Sequence, residues 1–110
     1  MRTAYCPKSH EQLGSASVGT PYGHVPGHQY NDVDVILSCK GGKFRCHVVE
    51  SWGSCQGYDE EHGRKEVVGR GNSIRESIDD AKSLARDAGL DSQYLPQALS
   101  KAEDIANDRE

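Results

Sequence analysis

Cys6, His10, His24 and His28 are residues of the kind that zinc accepts, and they fall as two pairs spaced four apart. Zinc wants four such ligands. The second pair brackets Val25-Pro26-Gly27, which a regular helix does not contain, so the pair has no shared helical face. No Cys-x-x-Cys accompanies it. The balance is for loop histidines, with no metal and no cofactor expected; a zinc-pinned domain is the third reading. Cys46-His47 joins a thiol to a base, but neighbours on a strand point to opposite faces and do not form a nucleophile–base pair. Cys55 has no partner that spacing identifies. Asp79-Asp80 and Asp59-Glu60-Glu61 are carboxylate clusters suited to acid–base or Mg²⁺ chemistry, and equally to plain solvation of a helix and a loop. Val68-Gly69-Arg70-Gly71-Asn72-Ser73 reads as a strand running through glycines into a helix N-terminus, a place for an anion. It lacks both the dinucleotide glycine spacing and a phosphate-loop lysine, which leaves a short capped connection as the simpler reading. Finally, Lys43, Arg45 and His47, with Trp52 and Arg64, place cations beside an aromatic, a combination able to stack a single-stranded base or to dock an acidic protein.

The elements that position these groups start at Asp32. Val33, Val35, Leu37 and Cys39 alternate with other residues at period 2, as a half-buried strand does. Gly41-Gly42 supplies the positive φ values of a tight hairpin turn. Phe44, Cys46 and Val48 then alternate again. With Gly41-Gly42 as the two turn residues, paired positions sum to 83: Cys39 meets Phe44, Leu37 meets Cys46, and Val35 meets Val48. Every apolar side chain then faces an apolar partner, and a slip of one residue would destroy the match. In this register Cys39 and Cys46 are diagonal neighbours, about 7–8 Å apart at Cα, which is long for a disulfide.

Residues 51–63 read as a loop, with a strand extension around Trp52 as the alternative, and Arg64 to Arg70 as a third strand. Ser73 with Glu76 three residues on makes a capping box. Ile74, Ile78, Ala81, Ala85 and Ala88 follow as the apolar stripe of a helix that stops at Gly89. A second helix spans about Ser92 to Asn107, with Pro96 tolerated in its first turn and a stripe of Leu95, Ala98, Leu99, Ala102, Ile105 and Ala106. Residues 1–31 hold Pro7, Pro21 and Pro26 with four glycines and show no periodicity, which is loop chemistry with room for one short strand or turn of helix. The predicted organisation is an irregular arm, 1–31, followed by one α+β domain, 32–110: a three-stranded antiparallel sheet, β-β-β-α-α, packed on one or two helices.

Composition narrows the function classes. Hydrophobic residues make up 35% of the 110 and aromatics 6%, a thin core for one domain. No apolar run reaches the roughly 20 residues that span a bilayer. Met1 to Glu11 contains no apolar segment of the signal-peptide kind, so a cytoplasmic chain with reduced thiols is expected. Residues 1–73 carry eight basic and eight acidic side chains, whereas residues 74–110 carry five basic and nine acidic. The acidic helices, with Asp79, Asp80 and Asp87, repel phosphate and suit a basic protein partner.

Gly69, Gly71 and Ser73 at the strand–helix junction, with Ala81-Lys82 beyond, resemble the closing segment of a double-stranded RNA-binding domain. That resemblance implies RNA contact. Here Ile74-Arg75-Glu76 stands where that family has paired lysines, and its first helix is not visible in residues 1–31. The β-β-β-α outline is also similar to HicB-type antitoxins. In size, acidity and element content the chain resembles small phage-borne inhibitors such as anti-CRISPR proteins, which implies steric inhibition of a nucleic-acid-handling host complex. The expected function is a non-catalytic module acting by protein–protein contact, with Asp79, Asp80, Asp87, Lys43, Arg45, His47 and Trp52 as the partner-binding candidates. An RNA-binding module is the alternative. A thin core also permits a homodimer.

Overall fold

The computed structural model describes residues 11–20, 29–54 and 61–109. Among them lie four strands and two helices: β1 (Glu11–Gly19), β2 (Gln29–Lys40), β3 (Lys43–Ser54), β4 (Glu61–Gly71), α1 (Ile74–Ala88) and α2 (Leu95–Arg109). The strands form one antiparallel meander in the order β1-β2-β3-β4, and both helices cover the same face. The architecture is α+β.

The β2–β3 hairpin has the register its apolar pattern demands. Cys39 pairs with Phe44, Leu37 with Cys46 and Val35 with Val48. Gly41 and Gly42 have φ of 59° and 83°, the positive values that let a two-residue turn follow the strand twist.

The sheet has four strands rather than three, and residues 11–19 are a strand rather than part of an irregular arm. Other boundaries move as well: β2 begins at Gln29, β3 runs on to Ser54 through residues read as loop, β4 extends over Glu61–Gly71, and α2 spans Leu95–Arg109 rather than about Ser92 to Asn107. Glu11–Gly19 hides its periodicity because its inward positions are small. Gly14, Ala16 and Val18 pair with Leu37, Val35 and Val33, and the register shifts between Gln12 and Gly14. That irregularity lets Leu13, 5% exposed, join the core. Small residues suit this strand because α2 lies close: a Cβ on Gly14 would come 3.1 Å from the Ile105 side chain, which would have to give by a few tenths of an ångström.

At the opposite edge of the sheet the constraint is tighter. A Cβ on Gly69 would lie 2.3 Å from the Ala81 nitrogen and 2.3 Å from the Ser77 oxygen, so the backbone of α1 rests directly on β4. Ser77, Ala81 and Ala85 are small enough to permit that approach. Ser77 is buried and donates to the Ile74 carbonyl at 2.6 Å, which satisfies its hydroxyl.

The helix ends follow from the caps. The Ser73 hydroxyl accepts from the Glu76 N–H at 3.1 Å, while the Glu76 carboxylate accepts from the Asn72 N–H at 2.9 Å, one residue before the usual capping-box partner. Gly89, with φ 77°, closes α1. Leu90 N–H donates to the Ala85 carbonyl at 2.9 Å, and the Leu90 side chain is buried beneath the turn, as in a Schellman end.

Candidate functional site

Alternation in the strands puts every second residue on the side of the sheet opposite the helices. Cross-strand pairing sorts these into rows. Lys40 pairs with Lys43 at the hairpin end. The next row is Gln12, Ser38, Arg45 and Arg70. Then come Ser15, Ile36, His47 and Val68, followed by Ser17, Asp34, Val49 and Glu66. The last row is Gly19, Asp32, Ser51 and Arg64. The face is divided by charge: four cations occupy the first two rows, and three carboxylates with one arginine occupy the last two. Ile36, His47 and Val68 lie between.

Arg45 and Arg70 are directly opposed across β3 and β4 and both exposed. Like charges in that position destabilise a sheet. They line a concavity of about 440 Å³ with Lys43, Gly71 and Asn72, where Lys43 Nζ donates to Asn72 Oδ1 at 3.1 Å. A second concavity of about 400 Å³ crosses the middle and acidic rows, lined by Ser15, Ser17, Asp34, Ile36, His47, Val49 and Arg64 among others. In it, Arg64 donates to Glu66 Oε2 at 2.9 Å and Ser17 donates to Asp34. His47 Nε2 lies 3.4 Å from the same Glu66 oxygen, within ion-pair reach but without hydrogen-bond alignment.

The expected site residues divide accordingly. Lys43, Arg45 and His47 come together on this face. Trp52 does not join them. It belongs to the even-numbered positions of β3, which share the helices' side, and lies near the far end of the strand, 37% exposed. Its ring packs over Gly63, whose Cβ would strike the indole, and Lys65 Nζ sits 5.9 Å from the ring centroid. No aromatic platform therefore accompanies the cations among the described residues of this face.

Asp79, Asp80 and Asp87 do not form one acidic surface. By helical spacing Glu76, Asp80 and Asp87 share one stripe, while Asp79 lies in another between Arg75, Lys82 and Arg86. Asp80 is engaged, since its Oδ2 accepts from the Arg70 N–H at 2.9 Å. Lys82 is paired with Glu103 of α2. The residues that sequence reasoning missed are Asp34, Glu66 and Arg70. The signal for Asp34 was present, since the hairpin register alone places it on the face of Arg45; Glu66 and Arg70 join that face only through the β3–β4 pairing.

The candidates for other chemistry separate as well. Cys46 points into the core, fully buried, and His47 points out. Burial pushes the Cys46 thiol up to about 12, against a smaller opposing effect of Lys82. It is a core side chain, not a thiolate. Folding therefore favours its neutral form. Stability from this group is complete below the ordinary thiol value of 9.0 and falls as pH rises through about 12. At pH 8 the folded protein should leave Cys39 and Cys46 unmodified by iodoacetamide, and denaturant should expose both; peptide mapping by mass spectrometry reads this, and rapid labelling of native Cys46 would refute its burial.

Among the described residues no cluster of three His, Cys, Asp or Glu is placed to hold a metal ion. Cys6, His10, His24, His28, Cys55 and the Asp59-Glu60 part of the acidic run lie outside the described residues. No described helix is long and apolar enough to cross a membrane. No protein-family model, curated protein or solved structure matches the chain.

Proposed function

We propose that the chain is a non-catalytic binding module that meets a protein partner across the face of its sheet that neither helix covers. The observation behind this reading is the division of that face into a cationic end, Lys40, Lys43, Arg45 and Arg70, and an acidic end, Asp32, Asp34 and Glu66. A nucleic acid presents one sign of charge along its whole length. It would gain at the first end and be repelled at the second. A protein surface can match both signs, and such complementarity fixes orientation as well as affinity. Trp52 lies off this face, so among its described residues the aromatic that the RNA reading named does not stand beside the cations.

The inhibitor form of the reading relied on acidic helices. The exposed side of α1 interleaves Arg75, Lys82 and Arg86 with its acids, so the sheet face is the better docking surface. The test is capture of partner from lysate by tagged protein, with nuclease throughout. The Arg45→Glu/Arg70→Glu variant should lose the captured protein by more than about tenfold. An Asp79→Lys/Asp87→Lys variant should retain it. Capture lost on nuclease treatment, or unchanged by the arginine reversals, would overturn this reading.

A further inference from the structure

The charge division has a property that narrows the partner. We infer that the partner is a second copy of this chain, docked face to face by a two-fold axis running along the row Ser15–Ile36–His47–Val68. This rests on the reading of the sheet face as a protein-binding surface, and adds the identity of the occupant.

A two-fold axis along that row turns one sheet over onto the other and reverses the strand direction. Each strand then lies over its own counterpart, and each row lies over the row equally far on the other side of the axis. The pairing follows directly from the register. Arg70, one row from the axis on β4, comes over Glu66 of the second copy. Lys40, two rows away on β2, comes over Asp32. Arg45 on β3 falls beside Asp34 and Glu66, which flank the Val49 opposite it. Each contact occurs twice, as an isologous interface requires. The axis itself meets the neutral row, where Ile36, His47 and Val68 are all partly exposed. The other in-plane choice, an axis along the strands, would set Arg45 and Arg70 against their own row. Like charges then meet, and that arrangement excludes itself.

The same pairing answers a cost left open by the isolated chain. Arg45 and Arg70 repel across adjacent strands. In the pair each is next to a carboxylate of the other copy. Two antiparallel sheets packed this way, their strands about 30° from aligned, form an ordinary sandwich.

Four strands about 4.8 Å apart and five rows about 6.8 Å apart make a face on the order of 600 Å² per copy. That is at the low end for specific interfaces, where weak and transient complexes lie, so the dimer is expected to be reversible, with Kd on the order of 10 µM. Because charges dominate the rim, the dimer should weaken as salt shortens the Debye length from about 10 Å at 0.1 M to about 3 Å at 1 M.

The test is sedimentation equilibrium of the full chain from about 1 to 300 µM, a range that brackets the expected Kd. The wild type should pass from monomer to dimer. Arg70→Glu places two carboxylates against each other, and Glu66→Arg places two cations against each other. Each variant alone should weaken dimerisation by more than about tenfold. Mixing the two restores opposite charges at both contacts, and the double variant Glu66→Arg/Arg70→Glu restores them within one chain. Both should recover dimerisation, with circular dichroism confirming that every variant is folded. A wild type that stays monomeric throughout overturns the self-pairing, while arginine-dependent capture would leave the binding-module reading standing. A dimer indifferent to the reversals, or one not rescued by mixing, overturns the proposed face. A dimer that the reversals abolish and mixing restores supports both the self-pairing and the sheet face as a protein-binding surface.

Discussion

Gly69→Ala should cost about 3 kcal/mol or more in urea unfolding, a large share of the roughly 5–15 kcal/mol that stabilises a domain of this size. The added methyl has nowhere to go. It would stand 2.3 Å from both the Ala81 nitrogen and the Ser77 oxygen, and 2.7 Å from the Ala81 Cα. These are backbone atoms in the middle of a helix, so relief cannot come from a side-chain rotation. The helix must lift off β4, and the contacts of Ile74, Ile78, Ala81 and Ala85 with the sheet loosen together. Ser83→Ala, on an exposed position of the same helix, should stay within about 0.5 kcal/mol. Equal stability of Gly69→Ala and wild type would show that α1 does not rest on the strand.

Leu37→Ala should be comparably severe, at about 3–4 kcal/mol. Leu37 is 1% exposed and occupies the row Gly14–Leu37–Cys46–Gly69. The row is a glycine at each edge and bulk only in the centre. The glycines let α1 and α2 come down at the sheet's margins, and Leu37 is the largest fully buried side chain left to fill the space between. A core this rich in alanine has few other large groups able to collapse into the hole. Leu37→Met keeps the volume and should cost less than about 1.5 kcal/mol in the same titration. Similar losses for the two substitutions would mean that shape, not volume, governs the site.

These two positions also show what was readable in advance. Leu37 announced itself, because large apolar residues alternated on both sides of Gly41-Gly42 and only one register paired them. The ends of α1 were equally legible, since Ser73, Glu76 and Gly89 mark caps by their chemistry and not by their neighbours. Gly69 was visible as a turn residue, yet its role is to admit a helix that lies nearby in space. The first strand was missed for the same reason. Its inward side, Gly14, Ala16 and Val18, is small because α2 presses on it, and small residues carry little periodic signal.

Misplacing Trp52 had another cause. Its parity already set it apart from Lys43, Arg45 and His47, but its strand was not taken far enough for parity to be applied. The charge division of the sheet could not be seen until β4 had a register, because Arg45 lies 25 positions before Arg70 in the chain and directly beside it in the sheet. Asp80 is similar: an acid on a helix declares its charge, but not that a strand N–H ten residues earlier will use it.

That last bond has a consequence for the solubility of the chain. β4 closes the meander, and a closing strand ordinarily offers unused amide donors on which another molecule's strand can grow. Here α1 folds back alongside, and Asp80 takes the Arg70 amide while Glu76 takes that of Asn72 just beyond. The flanking side chains Arg64, Lys65, Glu66 and Arg70 are charged and exposed. A strand added at the Arg70 end of this margin would have to strip a carboxylate from its amide before gaining a ladder bond of its own. Fibrous growth over that end of β4 is therefore opposed by the same helix that supplies the core.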